Sequence, residues 1–443
     1  MTKSASPYLS VEYLPIGEAV PDPRNPRAHS ERQIKQIARS IETFGFNVPV
    51  LIDEDKRILA GHGRVQAARR LGVCRVPVIR LGHLSDAQAR AFAIADNRLT
   101  EIATWDDRLL GEVLSELAAL ELDFSLEITG FSMAEIDLRI EGLTEPAEGL
   151  DPADVLPAML DQPPVSRPGD LWLLGEHRIV CGDALDASCY AAVTEDGAAE
   201  VVFTDPPYNV PIRGHVSGTD RHREFAMASG EMTEHQFTHF LTSALYLLAR
   251  FSTPGSIHYV CMDWRHMAEL LAAGERVYAK LENLCVWTKD SPGMGSFYRS
   301  QHELVFVFKN GAGRHRNNVQ LGRFGRNRSN VWCYPGVNGF GRRGEEGNLL
   351  DLHPTVKPVA LIRDALLDCS ARGERVLDPF LGSGSTLIAA ERIARRCRGI
   401  EIDPLYVDTA IRRWQRYTGG SAVHAASGQH FDDIAVPREA CHG

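Results

Sequence analysis

The sequence predicts an α/β protein in which an open, parallel sheet follows a separate, smaller α+β unit. Two apolar stretches carry this prediction: residues 199–204 run into Asp205, and residues 374–378 run into a glycine-rich loop. Short apolar runs that end in a carboxylate are typical of buried parallel strands, whose carboxyl ends bind ligands in open α/β sheets. The third observation is that the first third of the chain has its own pattern, with an amphipathic helix at 31–44 and a glycine-flanked turn at 61–64.

The tetrapeptide Asp205-Pro206-Pro207-Tyr208 stands at the end of the first apolar stretch. Two consecutive prolines remove two backbone donors and fix two φ angles, so Asp205 and the carbonyl of Pro206 form a rigid pair of acceptors. An amine has two protons to donate to such a pair, and Tyr208 offers an aromatic face on which a flat heterocycle can stack. Taken alone, the tetrapeptide is equally compatible with an ordinary turn after a strand.

A glycine loop at 379–386 follows the second apolar stretch and opens a predicted helix at 387–395. Its glycines let a ligand approach the backbone, and the amides at the helix start face that ligand. The next predicted strand, 397–402, contains Glu401, about 20 positions beyond the loop, where the hydroxyls of a nucleotide ribose would be held. This order of strand, loop, helix, strand and acid predicts a nucleotide-like cofactor.

Three motifs together resemble those of a known family. Asp205-Pro-Pro-Tyr208 and Asp378-Pro-Phe-Leu-Gly-Ser-Gly-Ser-Thr386 resemble the catalytic and cofactor motifs of the DNA amino-methyltransferases that use S-adenosylmethionine. Residues 353–358, His-Pro-Thr-Val-Lys-Pro, are similar to the third hallmark of that family. The order, with the catalytic motif first and the cofactor loop last, resembles the permuted β-class. The resemblance covers roughly residues 169–418 and implies a Rossmann-like S-adenosylmethionine-dependent methyltransferase sheet.

The resemblance also implies a cofactor site. Asp378 and the loop 380–383 would lie beside the methionine part of S-adenosylmethionine, and Glu401 would accept hydrogen bonds from the ribose. Asp183 would lie near the adenine, although it is equally compatible with a loop carboxylate, and Lys357 with Pro358 would close the pocket from the side. The complete set of implied cofactor residues is Asp183, Lys357, Pro358, Asp378, Phe380, Gly382, Ser383, Gly384, Ser385, Thr386 and Glu401.

The implied reaction is methyl transfer to the exocyclic amine of a flipped DNA base, for which no metal is needed. Adenine N6 is favoured over cytosine N4, because the cytosine enzymes more often begin the tetrapeptide with serine. RNA and protein-glutamine methylation fit less well, since relatives that modify glutamine usually carry asparagine at position 205. Attack at a cytosine ring carbon would need a thiolate, usually in a Pro-Cys dipeptide, and none of the nine cysteines follows a proline.

The charge distribution points to nucleic acid, although the formal charge of the 443 residues is −10. Residues 310–343 hold seven arginines and no acidic residue: Arg314, Arg316, Arg323, Arg326, Arg328, Arg342 and Arg343. Guanidinium groups grip phosphates and read guanine edges, so we expect this segment to bind double-stranded DNA. The alternative is a solvated, flexible loop. The sequence is compatible with a monomer or a homodimer.

The N-terminal third resembles the domain shared by ParB partition proteins and sulfiredoxin. The pattern is Asn25-Pro-Arg27, the helix 31–44, a strand at 48–53 and Gly61-His-Gly-Arg64 at the start of a further helix. Sulfiredoxin needs a cysteine where His62 stands, which excludes its chemistry. Arg27 and Arg64 are candidate ligands for a nucleotide phosphate, with CTP as the nucleotide that the ParB resemblance implies. The alternative is a structural or DNA-docking module.

The second functional class is a ParB-like DNA-binding or partition regulator with an inactive methyltransferase scaffold. The intact set Asp205, Tyr208, Asp378 and Glu401 argues against it, because a scaffold has no reason to combine these polar residues at strand ends. Scattered cysteines, the absence of a signal-peptide core and the absence of any apolar run near 18 residues favour a reducing cytoplasm without membrane insertion.

Composition shifts along the chain predict five segments. We expect a ParB-like domain at 8–100, a helical extension at 101–143, a linker at 144–168, a methyltransferase domain at 169–420 and a poorly ordered tail at 421–443. Within the methyltransferase domain, target recognition would fall at about 285–346, and residues 209–232 would form a flap over the base. The apolar face of the extension should be packed core: Leu109, Leu110, Val113, Leu114, Leu117 and Leu120.

Overall fold

The computed structural model describes residues 9–120, 122–143, 154, 157, 163–209, 230–290, 292, 297–320, 326, 328–336 and 356–435. The chain divides into two compact units, Met1–Thr144 and Glu145–Gly443. The first contains a four-stranded sheet and the second a ten-stranded sheet. No helix in the described ranges is both long and apolar enough to cross a membrane.

The first unit begins with a small mixed sheet in the order β1-β4-β2-β3. Its strands are β1 (Val11–Pro15), β2 (Val50–Ile52), β3 (Ile58–Ala60) and β4 (Arg75–Arg80). Its helices are α1 (Glu31–Phe44), α2 (His62–Arg70), α3 (Asp86–Glu101), α4 (Asp107–Ala118) and α5 (Met133–Glu141). The bounds predicted for α1 are confirmed, because the Ser30 side chain caps the N-terminus and Gly45, with φ of 84°, ends the helix.

The apolar face of α4 is only partly buried. Leu114 lies in a small core with Leu126 and Ile136. In contrast, Leu109 and Leu120 are 57% and 61% exposed. The expectation that the whole apolar face is buried core is therefore wrong. The packing of α5 against α4 buries only some of the apolar side chains that the helical spacing places on one face.

The second unit is built on one sheet in the order β11-β9-β10-β8-β7-β12-β13-β6-β5-β14. Its strands are β5 (Leu171–Leu174), β6 (His177–Cys181), β7 (Ala199–Thr204), β8 (Ser252–Met262), β9 (Lys280–Thr288), β10 (His302–Lys309), β11 (Val331–Cys333), β12 (Arg375–Asp378), β13 (Arg396–Glu401) and β14 (Val423–His424). The five adjacent strands β8, β7, β12, β13 and β6 run parallel to one another, whereas β10 and β5 on either side of them run antiparallel.

Helices cover both faces of this sheet. They are α6 (Ala187–Val193), α7 (Glu234–Arg250), α8 (Met267–Val277), α9 (Val359–Cys369), α10 (Ser385–Arg392), α11 (Pro404–Thr418) and α12 (Phe431–Ala435). In β7, Val201 and Phe203 pack with α9 to α11, whereas Val202 packs with α7 and α8. Both faces of β7 are thus buried, which explains its continuous apolar sequence and confirms the predicted parallel sheet.

The two ends of this unit are more ordered than the sequence suggested. Residues 421–435 are packed rather than loose, since β14 pairs with β5 and the buried ring of Phe431 lies 5.2 Å from that of Trp172. Residues 436–443 lie outside the described residues. Within the predicted linker, the backbone amides of Val165 and Ser166 donate to the Asp408 carboxylate at 2.7 and 3.0 Å. The chain is therefore already part of the sheet unit before residue 169.

Candidate active site

Four acidic residues predicted to form the site lie along one edge of the large sheet. They lie at or just after the carboxyl ends of four parallel strands, β6, β13, β12 and β7, and we call them the carboxylate row: Asp183, Glu401, Asp378 and Asp205. Two hydrogen bonds tie the strand ends together. The Gly182 amide donates to the Glu401 carbonyl at 2.9 Å, and the Thr204 hydroxyl donates to Asp378 at 2.9 Å.

The glycine loop folds back over the middle of this row. The Gly382 amide donates to Glu401 Oε2 at 2.7 Å, and the Thr386 hydroxyl donates to Asp378 Oδ2 at 2.7 Å. Gly384 needs to be glycine, since its φ is 85° and a Cβ there would stand 2.9 Å from that of Ala410. The helix after the loop begins at Ser385, two residues earlier than predicted, so Ser385 and Thr386 belong to its first turn.

Burial changes the protonation of the two central carboxylates. It raises the pKa of Asp378 to about 6, although hydrogen bonds from Thr386, Phe380 and Thr204 oppose the shift. Burial likewise raises the pKa of Glu401 to about 7, against hydrogen bonds from the amides of Asp403 and Gly382. Neighbouring carboxylates add to both shifts, so a cationic ligand in this crevice would relieve an unfavourable charge.

The tetrapeptide 205–208 takes part in a buried ionic cluster formed by Asp205, Tyr208, Glu303 and Lys357, which we call the Lys357 cluster. The Lys357 ammonium donates to Asp205 Oδ2 at 2.6 Å and to the Tyr208 hydroxyl at 3.2 Å, and it lies 3.0 Å from Glu303 Oε2. The Tyr208 hydroxyl also donates to Asp205 Oδ1 at 2.5 Å. All three protons of the ammonium therefore have an acceptor.

The pKa values within the cluster are separated by burial and charge. Burial raises the pKa of Asp205 above its ordinary value despite the attraction of Lys357. Burial alone would also raise the pKa of Glu303, but Lys357 and Lys289 lower it to about 2. The pKa of Lys357 is raised because Asp205 and Glu303 outweigh its burial. Asp205 is thus the carboxyl of the cluster that most readily takes up a proton.

Lys357 lies at the catalytic tetrapeptide, whereas the sequence placed it at the side of the cofactor pocket. It lies two residues before the start of α9 at Val359, and its side chain reaches across to Asp205 after β7. Glu303 was missed altogether by sequence reasoning. In the sequence it is visible only as an acidic residue at the start of β10. The antiparallel pairing of β10 with β8 is what brings it to this edge of the sheet.

The residue after the tetrapeptide closes the base of the predicted flap. Asn209 has a φ of 53°, and its side chain accepts from the amides of Gly230 and Met232 at 3.1 and 3.2 Å. Its side-chain amide donates to the Met232 carbonyl at 2.8 Å. The two ends of the loop therefore meet beside Pro207 and Tyr208, and residues 210–229 between them lie outside the described residues.

Two of the predicted DNA-binding arginines lie at the opposite edge of the sheet. Arg314 and Arg316 follow the far end of β10, and Arg316 pairs with Glu374, which precedes β12, at 3.1 Å. The part of β10 from Glu303 to Lys309 separates them from Glu303 by about 20 Å at the usual rise per residue. Their assignment to DNA binding stays a prediction, but their position argues against contact with DNA beside Asp205.

Two further arginines are used inside the protein. Arg326 pairs with Asp368 of α9 at 3.0 Å, and Arg328 lies 3.0 Å from both Asp364 and Asp368. The carboxylates that neutralise these groups come about forty positions later in the sequence, so the sequence alone suggested that the arginines had no acidic partner.

The same segment contains a strand, β11, that was not predicted from the sequence, and Trp332 is buried in it. Arg323, Arg342 and Arg343 lie outside the described residues, and their assignment stays a prediction.

The described part of the chain offers no thiolate and no metal cluster at the site. Cys261 lies near Asp205, but its burial raises the pKa of the thiol well above the ordinary value. No group of three or more metal-ligating side chains occurs among the described residues. The polar groups at this position of the sheet edge are therefore the carboxylate of Asp205 and the hydroxyl of Tyr208.

The first unit contains a separate cavity of about 560 Å³, lined by both arginines that the sequence singled out, Arg27 and Arg64. Arg27 pairs with Glu101 at 2.7 Å. Arg64 is in the first turn of α2, and its buried Nε has no hydrogen-bond partner among the residues described. The guanidinium of Arg64 folds back over Gly61, whose φ is 99°. Any other residue at position 61 would place its Cβ 2.9 Å from Arg64 Nη2, so glycine leaves the necessary room.

A Rossmann-like sheet with a glycine loop after β12 and Asp-Pro-Pro-Tyr after β7 defines an S-adenosylmethionine-dependent DNA methyltransferase. Residues 199–412 match the DNA methylase family of the N6/N4 type, residues 2–98 match the ParB N-terminal domain, and residues 108–168 match the ParB-methyltransferase HTH domain. The chain therefore contains a DNA methylase domain of the N6/N4 type together with a ParB N-terminal domain and a ParB-methyltransferase HTH domain. Sequence reasoning described the HTH region only as a helical extension at 101–143 and a linker at 144–168.

Three proteins illustrate these similarities. The ParB-like nuclease domain-containing protein YnaK of Escherichia coli is 48% identical over 83 residues, which are 19% of this chain and 95% of that protein. The type II methyltransferase M.HpaI of Haemophilus parainfluenzae is 23% identical over 277 residues, which are 59% of this chain and 82% of the relative. The crystal structure of the M1.HpyAVI-SAM complex superposes with a TM-score of 0.39 and 18% identity, covering 53% of this chain and 97% of the other.

Proposed function

We propose that this protein methylates the N6 amine of adenine in double-stranded DNA, with Asp205, Pro206, Pro207 and Tyr208 as the catalytic residues. The observation that carries the proposal is the position of Asp205 in the carboxylate row, on the strand next to Asp378 and the glycine loop. An initial aspartate in the tetrapeptide favours adenine over cytosine N4. The amine of a base held at Asp205 would face a methyl donor held at the neighbouring strand end.

The charges and hydrogen-bond donors of S-adenosylmethionine match the acceptors of the carboxylate row. Its sulfonium and amino groups are cationic and its ribose carries two hydroxyl donors, which match Asp183, Asp378 and Glu401. Burial raises the pKa of Asp378 to about 6 and that of Glu401 to about 7. A bound cation would stabilise the ionised form of both carboxylates. Phe380, Gly382 and Ser383 would line the loop side of this pocket, and Gly384, Ser385 and Thr386 its helix start.

The chain's own residues would activate the amine. The lone pair of an exocyclic nitrogen is delocalised into the ring, so the nitrogen is a weak nucleophile. Hydrogen bonds from its two protons to Asp205 and to the Pro206 carbonyl draw the nitrogen toward tetrahedral geometry. Bound S-adenosylmethionine supplies an activated methyl group, and an in-line approach at about 3 to 3.5 Å suffices. Asp205, whose pKa is raised by burial, is suited to accept the proton that the methylated amine releases.

Two exposed aromatic side chains support double-stranded DNA as the substrate. Phe297 and Tyr298, 86% and 82% exposed, lie in the loop from β9 to β10, at the same sheet edge as Glu303. Their rings meet edge to face with centroids 4.6 Å apart. Aromatic side chains stack on bases, and a flipped base leaves unstacked neighbours behind it. We propose that this pair contacts the duplex beside the flipped adenine.

Sequencing of DNA from cells that express the protein, with detection of modified bases, tests the proposal. We expect N6-methyladenine in one sequence context, absent from cells that express Asp205→Ala. N4-methylcytosine in its place would contradict the adenine assignment while keeping the amine chemistry. Unmodified DNA together with retained duplex binding would favour a regulator with an inactive scaffold.

A second proposed function concerns the first unit, which we infer binds CTP. The observation that favours it is the cavity that contains both Arg27 and Arg64, with the buried Nε of Arg64 lacking a hydrogen-bond partner in the described part of the unit. Burial lowers the pKa of Arg64 and the Asp96 carboxylate opposes the shift, so a phosphate in this cavity would stabilise the guanidinium.

A further inference from the structure

The Lys357 cluster occupies the atoms that the proposed reaction needs. A target amine has to donate to Asp205, but Asp205 Oδ2 already accepts from the Lys357 ammonium at 2.6 Å and Oδ1 from the Tyr208 hydroxyl. An ammonium is a stronger donor than an aromatic amine, so a base entering this site competes with Lys357 for the same carboxylate.

We propose that Lys357 is a placeholder for the target amine in the DNA-free protein, and that Glu303 is the positioning residue that retains Lys357 when a base takes its place. This inference rests on the proposed function. In this scheme Glu303 contacts neither the base nor the cofactor. It contributes to substrate binding through Lys357.

The distances indicate that Lys357 can release Asp205 to a base and still keep most of its hydrogen bonds. Lys357 Nζ lies 3.0 Å from Glu303 Oε2 and 3.2 Å from the Tyr208 hydroxyl, so two of its three acceptors remain when Asp205 is released. Without Glu303, the buried ammonium would lose its last carboxylate partner, and leaving a buried charge unpaired is strongly unfavourable.

The charges support the same direction of movement. Glu303 is fixed from its other side by Lys289, whose ammonium donates to Oε1 at 2.5 Å. The side chain of Lys357 is 4% exposed, that of Glu303 14% and that of Asp205 21%. A base therefore approaches from the Asp205 side, and Lys357 can withdraw only inward, toward Glu303 and the ring of Trp287 6.0 Å away.

Steady-state kinetics of Glu303→Gln in the full chain test this inference. The amide cannot neutralise Lys357, so the ammonium holds Asp205 more firmly, and we expect KM for DNA to rise by about tenfold or more while kcat changes much less. The fluorescence of 2-aminopurine at the target position should fall, because fewer bases are flipped, while S-adenosylmethionine affinity stays unchanged.

The double variant Glu303→Gln with Lys357→Met separates this role from a structural one. Removing the competing ammonium should bring KM back toward the wild-type value, whereas a site that is merely misfolded would stay impaired. Glu303→Asp, which keeps the charge, should be intermediate. Glu282→Gln is the matched control, since Glu282 lies toward the other end of β9 and pairs with Lys280 at 2.7 Å.

The possible outcomes are distinct. An unchanged KM in Glu303→Gln, a loss confined to kcat, or a double variant no better than the single one would overturn the inference. A wild-type protein that transfers no methyl group to DNA would overturn the proposed function itself.

Discussion

At the scale of single residues, neighbours decide what each side chain of the site can do. Asp205 and Glu303 are both carboxylates in the Lys357 cluster, yet burial raises the pKa of Asp205 while Lys357 and Lys289 lower that of Glu303 to about 2. Glu303 is therefore fixed as an anion, and Asp205 is left to accept protons. Such a separation of two similar groups is what acid–base chemistry at one site requires.

Substitution of Asp205 should separate catalysis from cofactor binding. We expect Asp205→Ala to lower methyl transfer by at least about a hundredfold, because the amine loses its charged acceptor, while the Kd for S-adenosylmethionine changes little. Radiolabelled methyl transfer and calorimetry measure the two effects. Asp263→Ala is the control, since Asp263 follows β8 at the same edge but pairs with Arg265 at 3.1 Å. Equal activity of Asp205→Ala and the wild type would refute the catalytic assignment.

Cofactor affinity should depend on pH through Glu401. Its pKa is raised to about 7, so the carboxylate is largely protonated below that value and ionised above it. A cationic ligand with hydroxyl donors prefers the ionised form, and affinity for S-adenosylmethionine should therefore rise about tenfold between about pH 6 and about pH 8. Glu401→Gln should bind more weakly with a flatter profile. Identical pH profiles for the two proteins would show that Glu401 does not contact the cofactor.

At the scale of elements, strand order determines which side chains meet. Glu303, at the start of β10, reaches the site because β10 runs antiparallel to β8, and the same direction carries Arg314 to the opposite edge. A sequence-based search for basic residues between the catalytic and cofactor motifs cannot detect this separation. Phe297 and Tyr298, in contrast, lie at the same edge as Glu303, because β9 and β10 pair as antiparallel neighbours.

The ion pairs between the β11 region and α9 predict an effect on stability. We expect Arg328→Ala to lower the free energy of unfolding by about 1.5 to 3 kcal/mol, because Asp364 and Asp368 would each lose one charged partner, while Arg363 and Arg326 remain beside them. Chemical denaturation measures the change. Arg314→Ala, an exposed arginine of the same segment, should leave both stability and the salt dependence of DNA binding unchanged. A flatter salt dependence in Arg314→Ala would restore the phosphate-contact assignment for that residue.

The aromatic pair of the β9–β10 loop predicts an effect on DNA affinity. We expect Phe297→Ala and Tyr298→Ala each to weaken duplex binding by about 5- to 100-fold, since base–aromatic stacking contributes about 1 to 3 kcal/mol. Fluorescence anisotropy with labelled duplex is the measurement. Tyr246→Ala serves as the control, because Tyr246 is an exposed aromatic on α7. Unaltered affinity in both loop variants would remove this loop from the DNA interface.

At the scale of the whole molecule, one chain combines a ParB-type part with an N6/N4 DNA methylase. Each part has a site of its own: the cavity with Arg27 and Arg64 in the first unit, and the carboxylate row in the second. The net charge of −10 says little about DNA binding here, since the groups that we propose to meet DNA are few and local.

The cavity of the first unit predicts nucleotide binding by the full chain. We expect CTP to bind, and Arg64→Ala to weaken that binding by about tenfold or more through loss of a charge-assisted contact to phosphate. Calorimetry with CTP, and with ATP for comparison, is the test. Arg57→Ala is the control, as Arg57 lies in the same unit and pairs with Asp55 on the surface. Absence of CTP binding at millimolar concentration would leave a structural or DNA-docking role.

The sequence by itself determined the elements and the motifs, because these depend on local patterns. The bounds of β6, β7 and α1 follow from apolar period and capping, and Asp205, Asp378 and Glu401 were found because each ends a strand. Only the tertiary structure decided which distant groups neutralise one another. Lys357 lies 152 positions from Asp205, and Glu303 stands 95 positions from Tyr208, yet they share one cluster. Ion pairing depends on distance in space, and no local pattern records it.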